Sequence, residues 1–195
     1  MRIRESRIDR RRVVEFYARY ECFKKQLVVP ELSAWKWTHA DSLDAELNRA
    51  HLKTGIVAGY LEWEFLEMTL ADLRACAIVS GIFPAQPQAL AILEKLGCLA
   101  SWRPDRQTTW HTPICEGQPL RERDAMILRP ALSAEHPASW YIEDGSGRAI
   151  ALLANASRFD PEALVSFAYR GCIPDPASSF MKRSSFDELL TKRSS

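Results

Sequence analysis

The residues best suited to chemistry stand together in one short stretch, Asp144-Gly-Ser-Gly-Arg148, with Glu143 immediately before it. Two glycines two positions apart let a backbone take positive φ and approach a ligand without a Cβ in the way. The preceding run Trp140-Tyr-Ile is β-prone, and the following run Ala149-Ile-Ala-Leu-Leu-Ala154 is rich in helix formers. A strand that turns directly into a helix aims the helix's unbonded N–H groups, and the positive end of its dipole, at whatever lies above the turn. An anion is the natural occupant. The sequence therefore predicts a phosphate-binding turn in which Gly145, Ser146 and Gly147 supply backbone donors and Arg148 supplies a forked guanidinium. Asp144 and Glu143 are the expected ligands of a divalent metal accompanying the phosphates. The competing reading of Asp144-Gly145 is a β-hairpin turn, but the Ala/Leu-rich segment that follows suits a helix better than a returning strand.

A nucleotide-dependent reaction also needs a carboxylate to orient or deprotonate its nucleophile. Glu116, Glu122, Asp124 and Glu135 all precede the turn. Glu135, beside His136, is the expected base, with Asp144 as its catalytic companion, because its loop leads into the strand that enters the turn. The Gly-Lys-Ser/Thr ending of a P-loop and the third glycine of a dinucleotide fingerprint are both missing. His39, His51, His111 and His136 show no metal-ligand spacing, and the five cysteines form no CxxC pair.

Ile127-Leu-Arg-Pro130, a variable loop and then Tyr141-Ile-Glu-Asp-Gly-Ser-Gly-Arg-Ala-Ile-Ala-Leu152 resemble the ParB/sulfiredoxin-like fold over roughly residues 113–180. That fold includes partition proteins that bind CTP, free-serine kinases that use ADP or ATP, and sulfiredoxins. The kinases carry an Asp-Gly-x-x-Arg turn, matched here by Asp144, Gly145 and Arg148. The resemblance implies a nucleotide-binding protein, taking ATP, ADP or CTP with Mg2+, that acts as a phosphotransferase or nucleotide hydrolase. Ser146 stands where sulfiredoxins place their reactive cysteine, which argues against thiol redox chemistry. Ser146 and Gly147 replace the histidines of the kinase turn, and Gly147 replaces a further arginine of ParB. Phosphate binding survives these departures better than any one catalysis.

The elements that must position this turn follow from periodicity. Val13, Val14, Phe16, Tyr17, Tyr20 and Phe23 recur at helical steps, predicting a helix over 10–25. A second helix is expected from Asp41 or Ser42 through Lys53, and residues 56–67 fit either a strand or a helix. Thr69 and Asp72 predict a capped helix over 70–80, and a further helix is expected over 87–96. These last two could form a winged helix-turn-helix, but the second is too apolar to read DNA, so packing is the better account. Beyond Gly97 short apolar pieces at 98–102, 108–110, 126–128 and 140–142 read as strands, while 164–169 fits a strand or a helix.

The expected class is α+β: a mainly helical N-terminal region over 1–97, a small mixed sheet with the strand–turn–helix unit over 98–181, and a flexible tail over 182–195. A chain of 195 residues with net charge +1 offers no global field for nucleic acid or anionic membrane. Residues 1–25 nevertheless hold nine Lys/Arg against four acids. Most simply they form a solvated face, but they also allow a rival reading: a non-catalytic protein that docks on a protein or nucleic acid through a basic arm. No apolar run reaches the roughly 18 residues of a membrane span, so no membrane partner is expected. Unpaired cysteines point to a cytoplasmic location.

Overall fold

The computed structural model describes residues 1–50, 52, 55–78, 88–95, 97, 99, 111–130 and 140–179. In chain order the elements are β1 (Arg2–Asp9), α1 (Arg10–Lys25), α2 (Ala40–Arg49), α3 (Gly55–Ala58), β2 (Tyr60–Met68), α4 (Leu70–Arg74), β3 (Cys76–Ile78), β4 (Gln88–Ala89), α5 (Leu90–Lys95), α6 (His111–Cys115), β5 (Met126–Pro130), β6 (Trp140–Asp144), α7 (Ser146–Ala154) and β7 (Ser166–Pro174). Short 3-10 turns add Leu32–Ala34, Glu122–Asp124 and Ala156–Arg158. The class is α+β, as expected.

Among the described residues the strands form one seven-stranded sheet in the order β1-β2-β7-β5-β6-β3-β4. It is mixed: β6 runs antiparallel to β5 and parallel to β3, while β5 runs parallel to β7. Leu128 faces Ile142 and Arg129 faces Tyr141 across the β5–β6 ladder. The chain divides into two compact units. Among the described residues one comprises 1–5, 65–130 and 140–170, and the other comprises 6–64 and 171–179. Each unit thus joins stretches from both sides of residue 97, where the sequence suggested a boundary.

In the first unit α7 packs against α4, α5 and α6. Leu66, Met68, Leu73, Ile78, Leu93, Met126, Leu128, Ile142, Ile150 and Leu153 close a common core there. Thr69 and Asp72 form a reciprocal capping box at the head of α4, as their spacing predicts. The helix stops at Arg74, however, not near residue 80, because Cys76–Ile78 pairs with β6 on one side and β4 on the other. Buried ladder pairing outweighs the weak helix propensity of Cys-Ala-Ile. The expected helix at 87–96 is shortened to Leu90–Lys95, with Gln88–Ala89 taken by β4. Two strands therefore lie between α4 and α5, which is not a helix-turn-helix connection. The expected strand at 108–110, all of 98–102 but Leu99, and the tail from 182 lie outside the described residues. At 164–169 the strand reading holds, as β7.

The N-terminal region carries strands beside its helices. Four of the seven strands, β1 to β4, fall within residues 1–97. β1 is hidden in the sequence because Arg2, Arg4, Glu5 and Arg7 make it read as a solvated arm; it is an exposed edge strand held by backbone pairing. Charges on an edge strand also discourage pairing with other chains.

The second unit is organised by α1, with Val13, Val14, Tyr17, Ala18 and Cys22 on its buried face. Asp9 caps the helix by accepting from the Arg11 N–H at 2.7 Å. Arg10, 5% exposed, ties three segments together. Its Nη1 donates to Asp175 Oδ2 at 2.6 Å and to the Ala58 carbonyl at 3.0 Å, and its Nη2 donates to the Trp37 carbonyl at 2.8 Å. At Gly171 a Cβ would lie 2.5 Å from the Tyr60 ring, so only glycine lets β7 pass that side chain.

Many cations of the expected basic arm are engaged within the chain. Arg2 pairs with Glu67, Arg4 with Glu122, Arg10 with Asp175, Arg11 with Glu15, and Lys24 and Lys25 with Glu21. Each pairing reduces the field available to a nucleic acid.

The Arg10–Asp175 pair is buried and hydrogen-bonded, so removing one partner strands the other charge. Arg10→Ala is expected to lower unfolding free energy by about 3 to 5 kcal/mol in urea titrations. A loss below about 1 kcal/mol, the size of an exposed pair, would contradict the assigned role.

Candidate functional site

Trp140–Asp144 forms a strand because its bulky residues are paired on both edges, by β5 and by β3. At Gly145 the backbone turns to φ 105°, ψ 9°, in the left-handed region, and α7 starts at the next residue. The Gly145 carbonyl accepts the first helical bond, from the Ala149 N–H at 3.0 Å. Strand, left-handed glycine and helix follow without an intervening residue, so the Asp-Gly pair makes no hairpin here. Gly145 has no side chain to cap the helix, and the first turn of α7 contains no acid. The first-turn N–H groups of a helix lack intrahelical partners. Ser146 and Gly147 are half-buried at that end.

Glycine is required at 145 for a second reason. A Cβ there would lie 2.7 Å from Met126 Cγ, 2.9 Å from Arg148 Nη2 and 3.1 Å from Arg148 Nε. The Arg148 guanidinium is thus folded back against the turn that precedes it. Its side chain is 2% exposed, and Nη2 donates to Asp144 Oδ2 at 2.7 Å. Arg148 was expected at the ligand; the structure places it under the turn, as a brace between Asp144 and Gly145.

Asp124 completes the charged group. It ends the 3-10 turn before β5, is 5% exposed, and interacts electrostatically with Arg148. Burial pushes its carboxyl pKa up, with Arg148, Arg123 and Arg121 opposing. It is one of the four carboxylates the sequence offers as a base, among which Glu135 was expected instead. Nothing in the sequence links it to an arginine 24 positions later, because β5, the following segment and β6 intervene.

Glu143 and Asp144 do not act as a pair. Neighbouring residues on a strand point to opposite faces. Asp144 turns to Arg148, whereas Glu143 Oε2 accepts from Arg129 Nε at 2.9 Å. Arg129 also lies 4.5 Å over the Tyr141 ring, whose phenol pKa burial raises and Arg129 lowers. A shared metal on both carboxylates does not fit this geometry. Among the described residues no group of three or more His, Cys, Asp or Glu could hold a metal. A divalent ion at Asp144, half-buried at 20% exposure, would draw its remaining ligands from phosphate and water.

Glu135 and His136 lie outside the described residues. Glu116 is exposed, and Glu122 is exposed and paired with Arg4. Among the thiols, Cys76 is fully buried and pushed up to about 12, which makes it inert, while Cys172 is exposed.

No family model, curated protein or solved structure matches the chain. The resemblance to the ParB/sulfiredoxin-like fold rests on the sequence of Ile127–Pro130 and Tyr141–Leu152.

Two outcomes follow from this geometry. Gly145→Ala must hold an L-residue at positive φ and press a methyl on Met126, so about 2 kcal/mol or more of unfolding free energy should be lost. A change within about 0.5 kcal/mol would show that the close approach is not required. For Asp124, the fold holds the proton more tightly than the unfolded chain does. Its ionisation therefore weakens the fold as pH rises from about 3.9 through the folded value. Asp124→Asn removes that titration. The stability difference between variant and parent should shift in the variant's favour as pH is raised, and a pH-independent difference would contradict the assignment.

Proposed function

We propose that the chain is a nucleotide-binding protein whose β6–α7 turn receives the phosphate groups. The observation that carries this reading is the left-handed Gly145, which joins β6 to α7 directly and leaves the helix head without a side-chain cap. Backbone N–H groups of Ser146 and Gly147 are the donors, supported by the dipole of a nine-residue helix. Arg148 contributes by fixing the turn and Asp144 rather than by gripping the phosphate. Asp144 is the residue that would hold Mg2+, which neutralises phosphate charge and orients it. ATP, ADP and CTP are the candidate nucleotides implied by the resemblance of the turn.

The proposal is one of binding. A phosphotransferase or hydrolase remains the enzymatic form of it, but Asp124, the buried carboxyl that interacts with Arg148 from before β5, is only 5% exposed and does not reach a ligand. The buried thiols of Cys22 and Cys76 suit a reducing, cytoplasmic setting.

Calorimetry with ATP, ADP and CTP, with and without Mg2+, tests this directly. At least one nucleotide is expected to bind, and more tightly with Mg2+. Ser146→Glu puts a carboxylate in the first turn of α7, which favours the helix but repels phosphate. It should leave the melting temperature intact and weaken binding about tenfold or more. Absence of binding by all three nucleotides, or unchanged affinity in Ser146→Glu, would overturn the proposal.

A further inference from the structure

The end of α1 carries a feature that neither the core nor the turn uses. Phe23 is 68% exposed, Leu27 41%, Val28 92% and Val29 40%. The tip they form is firmly built. Gln26 takes a left-handed conformation, its N–H donates to the Phe23 carbonyl at 3.2 Å, and the Leu27 N–H donates to the Cys22 carbonyl at 2.8 Å. Lys24 and Lys25, 45% and 37% exposed, stand at its base while both engage the buried Glu21. Helical spacing places Arg12, Phe16, Arg19 and Phe23 on one stripe running up to the tip, with no acid among them.

We propose that this tip docks on the surface of an anionic lipid bilayer, with Phe23, Leu27 and Val28 seated at the boundary between headgroups and acyl chains. Arg19 then faces the lipid phosphates, with Lys24 and Lys25, whose charge is shared with the buried Glu21, in support beside it. An exposed apolar cluster of this kind marks an interaction site. Its size and charge select the partner. Four side chains fall well short of the roughly 800 Å² per partner that a stable dimer buries. A second copy would also bring Arg12 and Arg19 against like charges. Of the four tip side chains Phe23 alone has an aromatic face; Leu27, Val28 and Val29, the larger part of the tip, offer nucleic-acid bases no stacking surface. Adsorption to a bilayer needs only a few inserted apolar side chains assisted by nearby cations. Among the described residues no helix is long and apolar enough to cross a membrane, so the contact is with the surface. This departs from the expectation of no membrane partner, which rested on the lack of a spanning run and on a net charge of only +1.

Co-sedimentation of the full chain with phosphatidylcholine vesicles, with and without about one third phosphatidylserine, tests the proposal. About fivefold more protein should pellet with the anionic vesicles, and raising salt should reduce the difference. Val28→Asp, at a position too exposed to disturb folding, should abolish pelleting with an unchanged melting curve, and Phe23→Ser should weaken it. Three results would each overturn the proposal: no preference for anionic vesicles, full pelleting of Val28→Asp, or light scattering that shows a dimer dissolved by Val28→Asp.

Discussion

The geometry of the turn depends on the guanidinium of Arg148 lying beneath Gly145. It meets the Asp144 carboxylate at 2.7 Å and comes so close to the glycine that no Cβ could stand between them. Met126 of β5 closes the same space from the neighbouring strand. One buried cation therefore links the end of β6, the conformation of the turn and the first turn of α7. A buried guanidinium is tolerable only with a counter-charge at hydrogen-bond distance. Asp144 meets that condition directly, and Asp124 adds a second negative group from the segment before β5.

β6 distributes its polar residues with the same economy. Pairing on both edges fixes the strand, and its pleat sends Glu143 and Asp144 to opposite faces. Each then finds an arginine, Arg129 for the first and Arg148 for the second. Two adjacent acids that suggest one metal site in the sequence are two separate ion pairs in the fold. The turn consequently offers one carboxylate to any cation.

Legibility in the sequence followed the range of the interaction. α1 is plain because its buried face repeats every three or four residues and its cap, Asp9, lies next to it. The capping box of Thr69 and Asp72 and the strand–turn–helix at Gly145 are equally local. β1 was not legible, since an edge strand with charged residues on both faces lacks alternation. The three residues of β3 form a strand because β6 and β4 flank them, a fact carried by residues far away in the chain. The candidate site shows the same division. Gly145 could be assigned from its neighbours alone. The burial of Arg148 beside Asp124 could not, because Asp124 stands in the 3-10 turn before β5, far away in the chain.

That burial changes the chemistry open to the turn. A guanidinium reaching toward solvent would bring a full positive charge to a phosphate. Here the charge is already matched by Asp144, so on the proposed reading a phosphate at the head of α7 would meet backbone dipoles and a half-buried carboxylate. Dipoles of a short helix are worth roughly 0.3 to 1 kcal/mol each way at an exposed site, and the carboxylate repels the ligand. On the proposed reading, a cation between Asp144 and the phosphate converts that repulsion into attraction. The metal then matters more to this turn than to one whose arginine is turned outward.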